Sequence, residues 1–557
     1  YYFFDFYKLI HKSFNIHLMK YDYIIVGAGS AGCVIANRLS EDSSNQVLLL
    51  EAGGSDRRFF IQMPIGYGVT YHQKAVNWMY MTKPSPEADN KPSYWPRGKV
   101  LGGSSSINAM VYVRGNPKDF DQWSEMGNTG WSYNDVLPYF KKMESWQNGA
   151  DSFRGGDGPL NVSEVSDQLH PLCKNFLSAA QEIGINLNRD MNGKNQEGVG
   201  NFQITTHKGQ RMSSSRAYLW PIKSRTNLTI IKNALVSRVL IKDKKAYGVE
   251  YIKSGKIHQV MASREVILSA GAINSPQLLQ LSGVGPKDVL DKAAVSLIHD
   301  SPAVGENLQD HLGVSYFYKS KVPTLNDQLR PFLGKIYQGL RYVITRRGPL
   351  SLSVNQSGGF IKTRDGLEKP NIQLYFSPVS YSLESPERRA MMSPDPFSAM
   401  LFGISNCSPL SRGRVHIENN NPLKPPIIEP NYLSHKEDVR DLLEGVKVLR
   451  KLAKTDSFRE VIGEEFRPGQ ECQTDEQMIQ HIKDTVWTVF HPCSTCRMGP
   501  DPLKNVVDSN LRVHGIKNLR VADASIFPQI VCGNINAATI MIGEKASDLI
   551  LESAENN

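Results

Sequence analysis

The chain has 557 residues, which is too long for one ordinary hydrophobic core. Hydrophobic residues make up 40% and charged residues 21%, a composition that excludes a wholly disordered protein. Its 64 basic and 55 acidic residues give a net charge of +9. Because the basic residues are scattered and not interleaved with aromatic ones, we expect no nucleic-acid partner.

Residues 1–18 are rich in Tyr and Phe and precede Met19. They lack the apolar core and the small-residue cleavage site of a secretory signal. We expect translation to begin at Met19, which would make residues 1–18 a non-native or disordered leader. An interfacial helix with its aromatic residues on one face is the alternative.

A strand–turn–helix–strand unit follows the leader. Residues 23–26 predict a buried strand, 27–32 read GAGSAG, 30–39 suit a helix, and 46–50 form a second strand that ends at Glu51. Gly27 permits a tight turn, Gly29 lets backbone approach a pyrophosphate, and Gly32 lets the helix pack on the strand.

The acid that ends the second strand completes this pattern. Glu51 lies 19 residues beyond Gly32, where a carboxylate accepts hydrogen bonds from both ribose hydroxyls of a dinucleotide. It disfavours a 2′-phosphate and so argues against NADP. The unit therefore predicts a dinucleotide site but leaves FAD and NAD open.

Later elements are less regular. Strand-like segments at 236–241, 246–252, 257–261 and 264–269 predict an antiparallel meander. Between 316 and 482 the signals are weaker, with one helix expected at 438–452. A strand at 518–523 and a helix at 537–551 end the pattern. No run of about 18 apolar residues occurs, so we expect no membrane-spanning helix.

Two long motifs identify the dinucleotide. Residues 98–108 read GKVLGGSSSIN and continue through Tyr112 and Gly115 to Asp121, and residues 271–285 read GAINSPQLLQLSGVG. They resemble the two signatures of the glucose–methanol–choline (GMC) oxidoreductase family, in its choline and alcohol dehydrogenase-like branch. The resemblance covers about 21–315 and 409–551 and is looser between them.

The resemblance implies an α/β fold in two parts. One is a Rossmann-like FAD-binding domain, which we place at 19–160, 200–315 and 485–557. The other is a discontinuous α+β substrate domain built on an antiparallel sheet, at 161–199 and 316–484.

The resemblance also implies FAD as the cofactor. Besides Gly27 and Gly32, the residues implied to hold it are Gly29, Ser30, Glu51, Ala52 and Val236 at the adenosine, Val100, Gly103, Ser104, Asn108, Ala109, Met110 and Val111 at the isoalloxazine, and Asp523 and Ala524 at the ribityl-phosphate side. Some members of the family bind FAD covalently through a His just before the Asn of the first signature. Ile107 holds that place here, so we expect non-covalent FAD.

Alcohol oxidation needs a base for the hydroxyl proton, and neutral histidine suits that role. Residues 490–499, FHPCSTCRMG, resemble the family's histidine motif and imply that His491 is the catalytic base. The partner in the family is His or Asn. We assign it to Asn536, which precedes Thr539 by the family's spacing, and Asn534 is the rival.

Other conspicuous residues receive no catalytic role. Cys493 and Cys496 form a CxxC, but no second CxxC follows at zinc spacing, so we expect no metal site. The seven cysteines, odd in number and irregular in spacing, fit a reducing compartment, and we expect a cytoplasmic protein. Asp310 and His311 resemble a structural loop of the family and are left unassigned.

The substrate is expected to be an uncharged primary alcohol, oxidised to the aldehyde by hydride transfer to flavin N5. Choline-oxidising relatives need a carboxylate for the quaternary ammonium, and neutral Gln356 occupies the expected place. The alternative is an oxygen-using alcohol oxidase or a choline dehydrogenase. A flavin lyase, a photoenzyme or a non-catalytic flavoprotein ranks below both. Oxygen and quinone both remain open as acceptors, and a quinone would favour peripheral membrane association.

Overall fold

The computed structural model describes residues 20–381 and 393–555. The predicted leader at 1–18 lies outside them. Two seven-stranded sheets organise the described chain. No helix within these ranges is long and apolar enough to cross a membrane.

The first sheet combines a parallel half and an antiparallel half. Its strand order is Leu228–Lys232, Val47–Glu51, Lys20–Val26, Lys256–Leu268, Lys245–Lys253 and Leu235–Lys242, with Leu519–Val521 also paired to Lys256–Leu268. The first four strands and Leu519–Val521 pair in parallel, and the meander is antiparallel. The predicted break between 261 and 264 is wrong, because Lys256–Leu268 is one strand that pairs first with the meander and then with Lys20–Val26.

Two helices from opposite ends of the chain pack together on this sheet. The predicted helix at 30–39 is confirmed as Ser30–Leu39, with eight of its ten residues buried. It contacts the C-terminal helix Asn536–Glu555, whose first half is buried almost all round. The first and last helices of the described chain thus pack against each other next to the glycine-rich turn.

The second sheet is antiparallel, as predicted. Its order is Ile462–Arg467, Leu312–Ser320, Ala399–Asn406, Ile372–Ser377, Ser357–Ile361 and Gly198–Asn201, with Trp487–Thr488 also paired to Leu312–Ser320. The helix predicted at 438–452 is Lys436–Ala453 and packs on this sheet through Leu442, Val446 and Leu449.

Three strands of the second sheet include residues that the predicted division assigns to the FAD-binding domain. Gly198–Asn201 and Leu312–Ser320 run across the boundaries predicted at 199/200 and 315/316, and Trp487–Thr488 lies inside the predicted segment 485–557. The division into two domains otherwise stays a prediction.

The remaining elements connect and cover the sheets. The other helices are Phe59–Gln62, Tyr67–Thr70, Pro117–Glu125, Tyr133–Met143, Leu172–Glu182, Gly271–Leu281, Lys287–Lys292, Leu325–Leu329, Phe332–Thr345, Asp456–Arg459 and Asp475–Thr485. Short strand pairs are Tyr80–Met81 with Tyr94–Trp95, Glu144–Trp146 with Leu160–Val162, Thr206–His207 with Gln210–Arg211, Val284–Gly285 with His299–Asp300, and Arg414–His416 with Ile427–Glu429.

Candidate active site

A cavity of about 620 Å³ is lined by residues from the elements of both sheets. It brings together most of the residues expected to hold FAD: Gly27, Gly29, Ser30, Glu51, Ala52, Gly103, Ser104, Asn108, Ala109, Met110, Val111, Val236, Asp523 and Ala524. His491, Asn534 and Asn536 line the same cavity. Segments more than 500 residues apart in the chain therefore share one site.

Two of the expected residues do not line this cavity. Gly32 packs inside the turn, where a Cβ atom would lie 2.0 Å from the Gly27 carbonyl oxygen, as its predicted packing role requires. Val100 is fully buried in a small cluster with Ile61, Val76 and Ile107. The expected contact of Val100 with the isoalloxazine stays a prediction, since the Val100 side chain packs in that cluster and does not line the cavity.

The glycine-rich turn leaves backbone open to the cavity. Gly27 has φ +97°, and a Cβ atom there would lie 2.6 Å from the Ser269 carbonyl oxygen. At Gly29 a Cβ atom would come no closer than 3.6 Å to any neighbour, so its bare face opens on the cavity. The helix that begins at Ser30 directs its unpaired N–H groups and positive dipole end the same way, which fits a pyrophosphate.

Glu51 is fixed at the carboxyl end of its strand. Its Oε2 accepts a hydrogen bond from the Ala28 N–H at 2.9 Å, and its Oε1 accepts one from the Gly53 N–H at 2.8 Å. Burial raises the pKa of Glu51 to about 7, against these two hydrogen bonds, which lower it. Each carboxylate oxygen keeps a lone pair for a ribose hydroxyl.

The first signature touches the glycine-rich turn directly. Gly102 and Gly103 have φ of +86° and +52°, and a Cβ atom on Gly103 would lie 2.8 Å from Gly29 Cα. The Gly102 N–H donates to the Ala28 carbonyl at 2.7 Å. Asn108 is held by Arg211, whose Nη1 donates to Asn108 Oδ1 at 2.7 Å. The close approach of two glycine turns explains why this motif cannot carry side chains there.

Asp523 is held by the second signature. Its Oδ2 accepts hydrogen bonds from the Gly271 N–H at 2.8 Å and the Ser275 hydroxyl at 2.5 Å, and its Oδ1 accepts one from the Ser525 N–H at 2.8 Å. Burial raises the pKa of Asp523. The residues 271–275 thus place a carboxylate on the cavity wall.

His491 is buried at the other end of this wall. Its Nε2 lies 3.2 Å from Asn534 Nδ2, and its Nδ1 lies 3.0 Å from His311 Nδ1. The Gln373 side-chain N–H donates to Asn534 Oδ1 at 3.3 Å, which turns the Asn534 amide nitrogen towards His491.

The proton positions follow from this chain of contacts. His311 Nε2 lies 3.1 Å from the Cys407 carbonyl, which can only accept, so His311 carries its proton on Nε2. Burial lowers the pKa of His311 to about 4, so the ring is neutral and its Nδ1 is an acceptor. His491 must then donate from Nδ1. Its unprotonated Nε2 therefore accepts a hydrogen bond from the Asn534 side-chain N–H at 3.2 Å.

Asp310 fixes the backbone of His491. Its Oδ1 accepts a hydrogen bond from the His491 N–H at 2.8 Å, while its Oδ2 accepts from the Tyr432 hydroxyl at 2.6 Å and the Thr488 hydroxyl at 2.5 Å. Burial raises the pKa of Asp310 to about 6. Sequence reasoning left Asp310 and His311 unassigned, and no spacing rule links them to residue 491. The pairing of two titratable residues just before a strand was the one available signal.

The structure corrects the partner of His491. Asn536 is the first residue of the C-terminal helix, and its Oδ1 accepts a hydrogen bond from the Ser30 hydroxyl at 2.7 Å. Asn534, which precedes the helix, is the residue beside His491. The three-residue interval between Asn536 and Thr539 lies within the helix Asn536–Glu555.

Gln356 does not belong to the site. Its Oε1 accepts a hydrogen bond from the His170 N–H at 2.8 Å, and the neighbouring Asn355 lines the cavity instead. Gln356 therefore does not occupy the place of a carboxylate that would bind a quaternary ammonium. Asn355 is also a neutral amide, and its Oδ1 accepts a hydrogen bond from the Ser377 hydroxyl at 2.8 Å.

The cavity wall near His491 is aromatic and carries one cation. The Phe490 ring lies 5.6 Å from that of Tyr71 and 6.3 Å from that of Trp487. Arg97 also lines the cavity and donates from Nη2 to the Phe490 carbonyl at 2.6 Å. Among the described lining residues, Glu51 and Asp523 are the carboxylates, and both lie with the residues expected to hold the cofactor.

The cysteines of the CxxC are free and buried. Burial raises the pKa of Cys493 and of Cys496 above that of an ordinary thiol, so both stay protonated. Within 20–381 and 393–555, no group of three or more His, Cys, Asp or Glu side chains is arranged to hold a metal ion.

Two segments of the chain match models of a known protein family. Family models described as GMC oxidoreductase match residues 21–313 and 409–543. The chain is 44% identical to the oxygen-dependent choline dehydrogenase of Photobacterium profundum, covering 95% of this chain and 93% of that one. It is 43% identical to the alcohol dehydrogenase [acceptor] of Pseudomonas putida, covering 96% of each.

Solved structures agree with these matches. The chain is similar to pyridoxine 4-oxidase from Mesorbium loti, with a TM-score of 0.85 and 31% identity over 95% of this chain and 98% of that one. It is also similar to a variant of Aspergillus oryzae RIB40 formate oxidase, with a TM-score of 0.90 and 28% identity over 96% and 99%. The chain belongs to the GMC oxidoreductase family. It is an FAD-dependent oxidoreductase acting on CH–OH donors.

Proposed function

We propose that this enzyme oxidises an uncharged primary alcohol to its aldehyde. The observation that carries the proposal is the unprotonated His491 Nε2 on the cavity wall, which accepts a hydrogen bond from the Asn534 amide nitrogen at 3.2 Å and could accept one from an alcohol hydroxyl in its place. When bound, FAD supplies the electron acceptor for the hydride that leaves the alcohol carbon. The glycine-lined backbone, Glu51 and Asp523 are the groups that would hold it.

His491 takes the hydroxyl proton of the alcohol at Nε2. His311 holds the opposite side of the imidazole, so the proton on Nδ1 stays in place and Nε2 keeps the role of acceptor. Asn534 donates from Nδ2 to the alcohol oxygen and stabilises the negative charge that develops there. Gln373 and Asp310 position these two residues and take no part in proton transfer.

The charge of the cavity supports an uncharged substrate. Aromatic rings such as Tyr71 and Phe490 suit either an apolar alcohol or, by cation–π attraction, a quaternary ammonium. Arg97 places a like charge on the same wall, however, and like charges at short range repel in a cavity of low dielectric constant. We therefore rank the uncharged alcohol first.

A matched pair of substrates tests this ranking. Choline and 3,3-dimethylbutan-1-ol have the same shape and differ in charge. We expect kcat/KM for flavin reduction to be at least tenfold higher for the uncharged alcohol. A higher value for choline would establish the alternative function, choline dehydrogenase, which the similarity to the Photobacterium profundum protein favours.

Anaerobic mixing with primary alcohols tests the reaction class. Bleaching of the oxidised flavin absorbance, near about 450 nm, supports alcohol oxidation, as expected of a flavin that accepts a hydride. A flavin lyase, a photoenzyme or a non-catalytic flavoprotein would show no bleaching with any alcohol.

We further propose that FAD is held without a covalent bond. Ile107 is buried, lines the cavity and has no atom that could form a tether. Acid precipitation should therefore release yellow flavin into the supernatant, and colour retained in the pellet would contradict this.

The acceptor is proposed to be oxygen or a quinone. Oxygen consumption during turnover identifies the first, and turnover that requires an added quinone or dye identifies the second. We propose the cytoplasm as the compartment, since all seven cysteines are free and buried.

A further inference from the structure

The helix Phe332–Thr345 presents its apolar side to solvent. Only two of its fourteen residues, Gln338 and Tyr342, are buried. Seven of the 19 exposed large hydrophobic side chains among the described residues lie on this one helix: Phe332, Leu333, Ile336, Tyr337, Leu340, Val343 and Ile344. Surface helices normally bury such residues, so this orientation indicates a partner surface.

The exposed residues form one continuous face. At 3.6 residues per turn they fall within an arc of about 140°, with Lys335 on one side of the arc and Arg341 on the other. The rings of Phe59, which is 54% exposed, and Tyr342 lie 6.5 Å apart, so Phe59 lies beside the inner side of this helix. We call the seven exposed residues of the helix the apolar face.

Positive charge surrounds the apolar face. From Gln328 to Ile361 the sequence contains five basic residues and no acidic one. A pocket of about 430 Å³ beside the face is lined by Arg57, Arg58 and Arg346 together with Trp220. Asp56 is buried and accepts a hydrogen bond from Nε1 of Trp220, which lines the pocket, at 3.1 Å. Of the five basic residues, Arg347 is paired with Asp167.

We propose that the apolar face and the arginine pocket bind the surface of a membrane containing anionic lipids. An apolar face between cations is the pattern of helices that lie in the interface between water and lipid, where cations meet phosphate groups and apolar side chains enter the acyl region. The arginine pocket has the size and charge for a lipid phosphate.

The membrane surface would lie close to the active-site cavity. Tyr342 belongs to the same hydrophobic cluster as Tyr67 and Val354, and these two residues line the cavity. One hydrophobic cluster thus extends from Tyr342 on the inner side of this helix to the wall of the active-site cavity. Alcohols or acceptors dissolved in the membrane would reach the cavity by a short path.

Vesicle sedimentation of the purified FAD-loaded enzyme tests the proposal. We expect binding to vesicles of phosphatidylcholine with phosphatidylglycerol, and at least tenfold weaker binding to phosphatidylcholine alone. The double variant Leu333→Glu with Ile344→Glu changes two side chains that are 77% and 78% exposed, so the fold should tolerate it. It should bind the anionic vesicles at least tenfold more weakly.

A matched control adds the same charge elsewhere. Ile257→Glu with Leu503→Glu alters side chains that are 68% and 71% exposed and lie outside the apolar face. This variant should bind vesicles like the wild type. Arg57→Gln with Arg58→Gln should lose the preference for anionic vesicles, and Arg57→Lys with Arg58→Lys should keep it, since a lysine retains the charge that attracts anionic lipids.

Two results would overturn the proposal. One is equal vesicle binding by the wild type and the Leu333→Glu, Ile344→Glu variant. The other is an enzyme that binds no vesicles and that light scattering shows to be a dimer which this variant dissociates. The apolar face would then be an interface between two copies of the chain. Turnover of an alcohol with a water-soluble dye, unchanged in the variant, shows that the active site is intact.

Discussion

The Nδ1 atoms of His311 and His491 lie 3.0 Å apart, so a single proton sits between two buried imidazole rings. The Cys407 carbonyl fixes the far side of His311 and thereby determines which of the two rings carries that proton. His311, which is fully buried, thus keeps the proposed base His491 in the form that can accept a proton at Nε2.

The first prediction concerns this pair. His491→Ala should slow flavin reduction by at least about 10²-fold, because a general base contributes that much or more. His311→Leu removes the acceptor for His491 Nδ1–H and should slow the reaction at least tenfold. His311→Asn offers an amide oxygen near the same place and should recover most of the rate. Anaerobic stopped-flow mixing with a primary alcohol measures all three.

The control for this prediction is the FAD content and thermal unfolding of each variant. If His311→Asn and His311→Leu are equally slow while both stay folded and loaded, the proton-holding role of His311 is wrong. An unaltered rate in His491→Ala would remove His491 from the reaction.

The second prediction separates the two asparagines. Asn534→Ala removes a hydrogen-bond donor to the developing oxyanion and should lower the rate of flavin reduction by about 10²-fold or more. Asn536→Ala breaks a hydrogen bond to Ser30 instead and should change that rate less than tenfold. The two substitutions are chemically identical and two residues apart, so each is the control for the other. The reverse order of effects would restore Asn536 as the partner.

The third prediction is the pH dependence of the reaction. Burial lowers the pKa of His491 well below 6.5, and the neighbouring His311 and Arg97 lower it further. Because the neutral form is active, the rate should be lost only as the pH falls through this lowered pKa. Flavin reduction at saturating alcohol should therefore be nearly constant from about pH 8 to about pH 6.5. Half-maximal rate at pH 7 or above would show that another group titrates.

The fourth prediction compares two glycines of the first turn. A Cβ atom on Gly29 would meet no atom closer than 3.6 Å, so Gly29→Ala should fold normally. It should nevertheless bind FAD at least tenfold more weakly, since the added methyl group enters the space that the pyrophosphate needs. At Gly32 the same methyl group would lie 2.0 Å from the Gly27 carbonyl oxygen, so Gly32→Ala should prevent folding.

Circular dichroism and flavin fluorescence after reconstitution with FAD measure these two effects. Normal FAD affinity in Gly29→Ala would show that the pyrophosphate does not approach this residue.

Helices and strands whose pattern of residues is contained within the element itself can be predicted from the sequence. The helix Ser30–Leu39 was predicted to the residue because a glycine turn precedes it and its small and apolar residues suit packing on a sheet. The strand Lys256–Leu268 was divided in two, because nothing local shows that one strand serves two sheet partners in succession.

The site was predictable to the extent that its residues lie in motifs. Most of the cofactor residues line the cavity, whereas Val100 turns inward and Asn536 begins a helix. The contact of His311 with His491 spans 180 positions and depends on tertiary structure alone. No periodicity or spacing in the chain encodes such a contact.

The hydrogen bond from Ser30 to Asn536 joins residues 506 positions apart and closes the site between the first and last helices. During synthesis the glycine-rich turn leaves the ribosome early, but its cavity lacks one wall until nearly the whole chain has emerged. Flavin capture is therefore a late event in the biogenesis of this enzyme. Nascent chains halted before residue 534 would have a dinucleotide fold without a complete place for the coenzyme.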